Sequence, residues 1–428
     1  MASFLQFTQP VQIKLHQFSA TFAHQFSRPV HKFIQQMVFG ILKSGSVQLN
    51  SIGRALQEKI SLKKVTARLG NHLGKAGLWQ QVTSATLKTQ AASLRKCRFV
   101  IVDLSDISKK YAKKMEGQAG VYDGSEGETG FGYWLCNITA VNDDASIVVP
   151  TYSELFSHTA EVTSENEKIL NAVDQVTPLC APDHILLVDR GGDRIELLRP
   201  FLQAHHQCIV RQVGNRHLVY KNKNRSFKYL TQHTTLQWTI TVERIHKNKI
   251  RRLTFDCGAL PVQLPGIAKT LWLVVMKKHH GGYCWLLCHF KDCPSAQAAV
   301  ELAVKGYGLR WKIEEVHRQI KVDYHQEAIR LERYEALKTM NALLWMAVSF
   351  LYTRLESLAP KIIALPELGL VNRRNPKALW RFKFYKLAAA VKRIVAVARL
   401  YETIAFPQAT RQMFLPLTDG ARVTPARA

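Results

Sequence analysis

Apolar side chains change their period several times along the chain, and each change marks a different kind of element. From Phe33 to Leu42 they recur at helical spacing, and Ser44-Gly45-Ser46 interrupts them. Leu49, Ile52 and Leu56, then Leu62, Val65 and Leu69, resume the pattern. This predicts short helices joined by short turns across residues 1–95. At Arg98-Phe-Val-Ile-Val-Asp103 the period gives way to a continuous apolar run, the mark of a strand buried on both faces, with Asp103 at its end. Gly132 to Ala140 and Ser146 to Pro150 read as two further strands joined by the turn-rich Val141-Asn-Asp-Asp144. A helix from Ser164 to Val176 follows, then a second buried strand, His184 to Asp189, again ending in aspartate. Gly191-Gly192 leads to a helix from Ile195 to Ala204 and a strand from Cys208 to Val213. Residues 96–213 therefore predict an α/β unit with a sheet of mixed direction.

Residues 214–291 break that rhythm with alternating stretches at Gln237 to Ile245, Lys249 to Cys257, Thr270 to Lys277 and Tyr283 to His289, a β-rich insertion. Helical periodicity returns at Ser295 and runs to about Phe406, interrupted by Pro360, Pro366 and Pro376. Residues 336–428 thus predict a helical C-terminal part. The most apolar stretch, Met340 to Tyr352, contains Asn341 and Ser349 and is too short for a bilayer of about 30 Å, so it predicts a buried helix and no membrane span. Gly124 to Gly132 lacks the Lys-Ser/Thr of a phosphate-binding loop and reads as a flexible loop.

Charge adds a partner to this picture. Lys and Arg number 59 against 32 Asp and Glu, a net charge of +27, which calls for a polyanion such as nucleic acid. The excess is not uniform: residues 1–98, 214–291 and 355–428 carry 41 basic and 7 acidic side chains, whereas the rest carries 18 basic and 25 acidic. Basic flanks surround an acidic centre that can hold divalent cations. Lys59, Lys63, Lys64 and Arg68 lie on the N-terminal helical pieces, which serve a helix-turn-helix DNA-binding domain and a plain bundle equally. Eight scattered cysteines suit a reducing cytoplasm, not a disulfide scaffold. Cys284, Cys288, His289 and Cys293 lack paired knuckle spacing and read as buried thiols.

The most informative stretch is Tyr307-Gly-Leu-Arg310-Trp-Lys-Ile-Glu314-Glu-Val-His-Arg-Gln-Ile-Lys321. On one helix at about 100° per residue, Tyr307, Arg310, Glu314 and Lys321 share a face roughly 60° wide. Trp311, Ile313, Val316 and Ile320 point away to pack on a core, Glu315 leaves the shared face, and His317 reads as incidental. A phenol, a guanidinium, a carboxylate and an ammonium in a row suit phosphate gripped beside a metal ligand. Two strand-end aspartates and a helical glutamate are what two-metal phosphodiester chemistry needs. Asp106 and Asp193 compete with Asp103 and Asp189, but Asp193 reads as a helix cap.

On these residues the chain resembles DDE transposases of bacterial insertion sequences, whose core is ribonuclease H-like. Asp103, Asp189 and Glu314 look like the catalytic and metal-binding triad, and Tyr307, Arg310, Glu314 and Lys321 match the Y-(2)-R-(3)-E-(6)-K signature of the cut-and-paste subclass with a β-strand insertion. Asp189-Arg190-Gly191 resembles the motif at the second aspartate. The resemblance implies an α/β ribonuclease H-like core at 96–213 and 292–335, the latter with the catalytic helix, the insertion at 214–291, and helical N- and C-terminal domains. It implies Mg²⁺ as cofactor, with Mn²⁺ as the substitute, transposon-end and target DNA as partners, and a homodimer pairing two ends. The implied chemistry is a nick, a hairpin intermediate and strand transfer. Trp285 resembles the insertion tryptophan that stacks on a flipped base, against the alternative of an ordinary core residue. Arg190, Arg211, Asn215 and Arg216 follow strand ends and serve either the DNA backbone or the solvated surface. Two other readings stay open: a nuclease or resolvase of the same fold that cuts without joining, and a non-catalytic DNA-binding regulator.

Overall fold

The computed structural model describes residues 4–109, 112, 114–123, 127–246, 249–279, 281–369 and 383–396. Five helices open the chain: α1 (Thr8–Ala20), α2 (Arg28–Ser44), α3 (Leu49–Leu56), α4 (Leu62–Leu73) and α5 (Leu78–Leu94). The apolar spacing read from Phe33 onward is the buried face of α2, which stops at Gly45, where a left-handed φ of 61° ends the helix at little cost. Arg68 of α4, partly exposed on the bundle's surface, is paired with Glu58 and Gln36.

The α/β unit begins with β1 (Phe99–Ser108), β2 (Ala119–Asp123), β3 (Glu128–Val141) and β4 (Val148–Phe156), then α6 (Glu165–Val176), β5 (Ile185–Val188), α7 (Ile195–Gln203) and β6 (Gln207–Arg211). Next come the hairpin β7 (His217–Tyr220) and β8 (Lys223–Ser226), a short α8 (Phe227–Gln232), and β9 (Trp238–His246), β10 (Lys249–Val262), β11 (Leu271–Lys278) and β12 (Tyr283–His289). Five helices complete the described chain: α9 (Ala296–Leu309), α10 (Trp311–Asp323), α11 (Tyr334–Arg354), α12 (Ala359–Ile363) and α13 (Lys383–Ala396). The helical reading toward Phe406 extends past the described residues.

Ten strands form one mixed sheet in the order β2-β3-β1-β5-β6-β12-β11-β10-β9, with β4 also paired to β3. β1 runs antiparallel to β3 and parallel to β5, and β5 runs parallel to β6. The β-rich insertion does not stand apart, because β12 pairs antiparallel with β6 and carries the sheet onward. Val100, Val102, Leu186, Val188 and Val210 pack with α6 and α7 on one face. Ile101, Leu187 and Ile209 pack with α9 and α10 on the other, so the central strands are covered twice and read as unbroken apolar runs. Gly306 permits this closeness, since a Cβ there would meet Ile209 at 2.8 Å and Phe99 at 2.9 Å.

α11 is buried at every position from Ala336 to Tyr352 and joins the N-terminal helices to the sheet. At roughly 1.5–3 kcal/mol per large apolar side chain, this helix holds the fold together more than any surface pair could. Among the described residues no helix is long and apolar enough to cross a membrane.

Three readings of the sequence need correction. β1 does not end at Asp103, because β3 pairs with it through Ser108 after β5 has stopped. Glu128 to Gly132 belong to β3, held by β2 and β1, and residues 124–126 of the expected loop lie outside the described residues. Trp311 is 41% exposed instead of packing on the core, whereas Ile313, Val316 and Ile320 are buried as expected.

Candidate active site

The register of the central strands builds the site. Val102 pairs with Val188, and Val188 with Val210, so Asp103, Asp189 and Arg211 follow in one row across three adjacent strands. Neighbouring strands lie about 4.8 Å apart, which sets the two aspartates side by side. Asp189 leaves β5 into a one-turn 3₁₀ helix, Arg190–Gly192, and its carboxylate accepts a 2.7 Å hydrogen bond from the Gly191 N–H. Gly192 is obligatory here, because a Cβ would come within 2.1 Å of the Val188 side chain.

The signature run is not one helix. It is divided at Arg310, where α9 ends and α10 begins, after Gly306 and Gly308, which are poor helix formers. Arg310 keeps helical dihedrals, so Tyr307, Arg310, Glu314 and Lys321 stay roughly aligned. The Arg310 guanidinium pairs with Glu314 on its own helix and lies 3.8 Å from the Asp103 carboxylate. Arg211 donates to the Tyr307 hydroxyl at 3.3 Å and stands 6.0 Å from its ring centre. Lys321 pairs with Glu327 at 3.1 Å. Arg190 is exposed on the 3₁₀ turn.

Electrostatics mark Asp103 as the stressed group. Burial, reinforced by the charges of Asp189 and Glu314 and opposed by Arg310, pushes its carboxyl up to about 7. The same charges stabilise the Arg310 cation against its own burial. His317, read as incidental, lies with Nδ1 3.7 Å from Asp103 Oδ2. Burial, then the charges of Lys321 and Arg310, lowers its ring to about 3, so it is neutral at pH 7. Its Nε2 is buried and has no hydrogen-bond partner among the described residues. Counted from Tyr307, His317 falls at about 280°, roughly 20° beyond the edge of the arc that the signature residues share, so spacing alone did not single it out. Asn137 was also missed. It pairs with Asp103 across β3, donates to Ser105 at 2.9 Å and leaves its own buried oxygen without a partner among the described residues.

Other expectations divide. Asp193 is not a cap: its side chain is fully enclosed, pairs with Arg216 at 2.5 Å and accepts from the Val213 N–H, so that Arg216 is spent on structure. Trp285 is half-buried, donates to Thr231 at 2.9 Å and stacks parallel to the exposed Tyr283 at 6.4 Å.

Two aspartates and a glutamate are an all-oxygen donor set suited to a hard divalent cation. Burial first, and then the neighbouring Asp189 and Glu314 charges, disfavour the ionised Asp103 despite Arg310, and a bound cation would favour it. As the side chains stand, no three His, Cys, Asp or Glu residues among the described ones are gathered into a ready chelate. Arg310 contacts both Asp103 and Glu314.

The sequence matches the family described as "Transposase DDE domain" over residues 98–350, from the residue before β1 to α11. No curated protein matches the chain. A match over more than half of the sequence, spanning Asp103, Asp189 and the α10 glutamate, means that the protein belongs to the transposase DDE domain family.

Proposed function

We propose that the protein is a cut-and-paste DNA transposase whose catalytic carboxylates are Asp103, Asp189 and Glu314. The observation that carries this reading is the parallel register of β1 and β5, which sets Asp103 beside Asp189, together with the Arg310 contacts that tie Asp103 to Glu314 on α10. The strand order β4-β3-β1-β5-β6, three antiparallel strands followed by two parallel ones, supports a ribonuclease H-like core. The helical residues 1–95 and 336–428 would then bind DNA and pair two subunits, with 214–291 as the insertion.

Asp103, Asp189 and Glu314 would hold Mg²⁺, or Mn²⁺ in its place, once Arg310 turns from the carboxylates to the DNA phosphate. Bound divalent cations supply activation of the attacking oxygen and stabilisation of the leaving one. Arg310 and Arg211 grip the phosphate, the Tyr307 hydroxyl holds Arg211 in place, and Lys321 steadies the backbone. Water hydrolyses one strand at the element's end. The freed 3′-hydroxyl attacks the opposite strand to close a hairpin, a second hydrolysis opens it, and the 3′-hydroxyl joins target DNA. Trp285 and Tyr283 form the aromatic shelf for a base displaced from the stack.

The test uses the inverted repeats flanking the gene as end DNA, with a target plasmid and Mg²⁺. Nicked, hairpin and joined products are expected, and Glu314→Gln or Asp103→Asn should lower all three on the order of 10³-fold while DNA binding persists. Cutting without joining would make the protein a nuclease, and activity indifferent to both substitutions would remove these carboxylates from the chemistry.

A further inference from the structure

We infer that the β7–β8 hairpin is a DNA-backbone clamp, a basic ribbon laid along the duplex that carries the scissile phosphate. This rests on the reading of the protein as a DNA transposase and adds a surface to it. From Leu197 to Val242 the sequence holds seven Lys and Arg and no Asp or Glu, the charge of a polyanion-facing strip. The hairpin projects the centre of that strip. Its two strands form a sheet of their own, apart from the ten-stranded one, and Lys221, Asn222, Lys223 and Asn224 at its tip are all exposed.

The turn is costly. Lys221 and Asn222 both take left-handed dihedrals, φ 48° and 59°, in a two-residue turn where Asn-Gly would fit with least strain. A lysine kept there puts an ammonium at the outermost point of the ribbon. That cation and a second are pre-ordered on aromatic rings: Lys221 lies 5.4 Å from the Tyr220 ring centre, and Arg225 lies 4.2 Å over Tyr229.

The base of the hairpin is rigid and fixed to the candidate site. Leu218 is fully buried, Val219 is bonded both ways to the backbone of Gln263, and Phe227, just past β8, packs edge-on against Trp285 at 5.6 Å. Gln212, next to Arg211, donates its N–H to the Trp285 carbonyl at 2.9 Å. The Phe227 end of the ribbon thus sits beside Trp285, next to Arg211, whereas the Val219–Gln263 bridge lies four residues beyond Ala259 of β10, which is level with the row of Asp103, Asp189 and Arg211. A duplex whose scissile phosphate lies at that row can run on against a ribbon that matches its charge and is rigid before binding.

Lysines on phosphates act regardless of base sequence, so the probe is any short duplex oligonucleotide, titrated with the full-length protein over a range of salt. Lys221→Asn with Asn222→Gly keeps the turn and removes one ammonium; adding Lys223→Ser removes a second. Wild type should bind with log K falling steeply as log salt rises, and the triple variant should lose about 2 from that slope, the double variant about 1. The same slope for all three proteins would overturn the clamp while leaving the transposase reading intact. Wild-type binding without salt dependence would instead sink the DNA reading and the clamp with it. Circular dichroism melts matching wild type would show that a lost slope is not a lost fold.

Discussion

Two buried charge clusters in this protein use the same kinds of side chain and end in opposite states. In one, Glu161 receives Lys168 at 2.6 Å, Lys338 at 2.6 Å and the Tyr334 hydroxyl at 2.5 Å. Glu154 beside it takes Lys168 at 2.7 Å and the Tyr152 hydroxyl at 2.8 Å. Burial works against the charge of Glu161, yet these hydrogen bonds overcome it and hold its carboxyl down to about 2. In the other, Asp103 has a guanidinium at 3.8 Å and a neutral imidazole at 3.7 Å, and its carboxyl is pushed up to about 7. The first cluster is complete and ties β4, α6 and α11 together. The second lacks positive charge, as expected of a site whose cation and phosphate arrive from outside.

The same isosteric edit, carboxylate to amide, should therefore do opposite things. Asp103→Asn should lower DNA cleavage on the order of 10³-fold while leaving the melting temperature unchanged or higher, since it removes an unfavourable charge. Glu161→Gln leaves two ammoniums short of a partner and should cost about 3–5 kcal/mol of folding stability, read by urea unfolding, with cleavage retained at low temperature. Its pH dependence has a fixed sign. Glu161 titrates lower in the fold than the ordinary glutamate value of 4.5, so its contribution is complete above that pH and lost as pH falls toward 2. Wild-type and Glu161→Gln melting temperatures should converge over that window. A gap that holds steady to pH 2 would mean the network is not what Glu161 stabilises.

The contrast also separates what the sequence could convey from what it could not. Continuous apolar runs announced β1 and β5 because burial on both faces leaves a one-dimensional trace, and the same holds for α11. The alignment of Arg310 with Glu314 is likewise a property of spacing. The pairing of β12 with β6, the continuation of β1 past Asp103 and the Asp193–Arg216 pair are contacts between distant segments, and residue spacing carries no record of them. The hairpin β7–β8 escaped because its turn is Lys-Asn in place of a glycine signal. His317 lay just outside the legible face, and only the distance to Asp103 distinguishes it from an incidental helix histidine.

His317 offers the next smaller effect. Its ring lies 3.7 Å from the Asp103 carboxylate, the place of a positioning residue if Asp103 holds the metal, and such partners typically account for tenfold to a hundredfold in metal affinity or activity. His317→Ala should raise the Mg²⁺ concentration needed for half-maximal cleavage by about that factor, and His317→Asn should recover part of it. Unchanged Mg²⁺ dependence in both variants would return the histidine to packing alone.

The smallest effect tests whether burial is what makes the first cluster matter. Asp143 also receives two cations, Lys305 at 2.7 Å and Arg98 at 3.7 Å, but it and Lys305 are each 47% exposed. Water already solvates these groups, and holding long side chains in place offsets much of the attraction, so Asp143→Asn should cost under about 1 kcal/mol in urea unfolding and less still in high salt. Number of partners would then not be the deciding quantity, because Asp143 and Glu161 each meet two cationic side chains. If Asp143→Asn cost as much as Glu161→Gln, the two buried clusters could no longer be told apart by how completely they compensate charge removed from water.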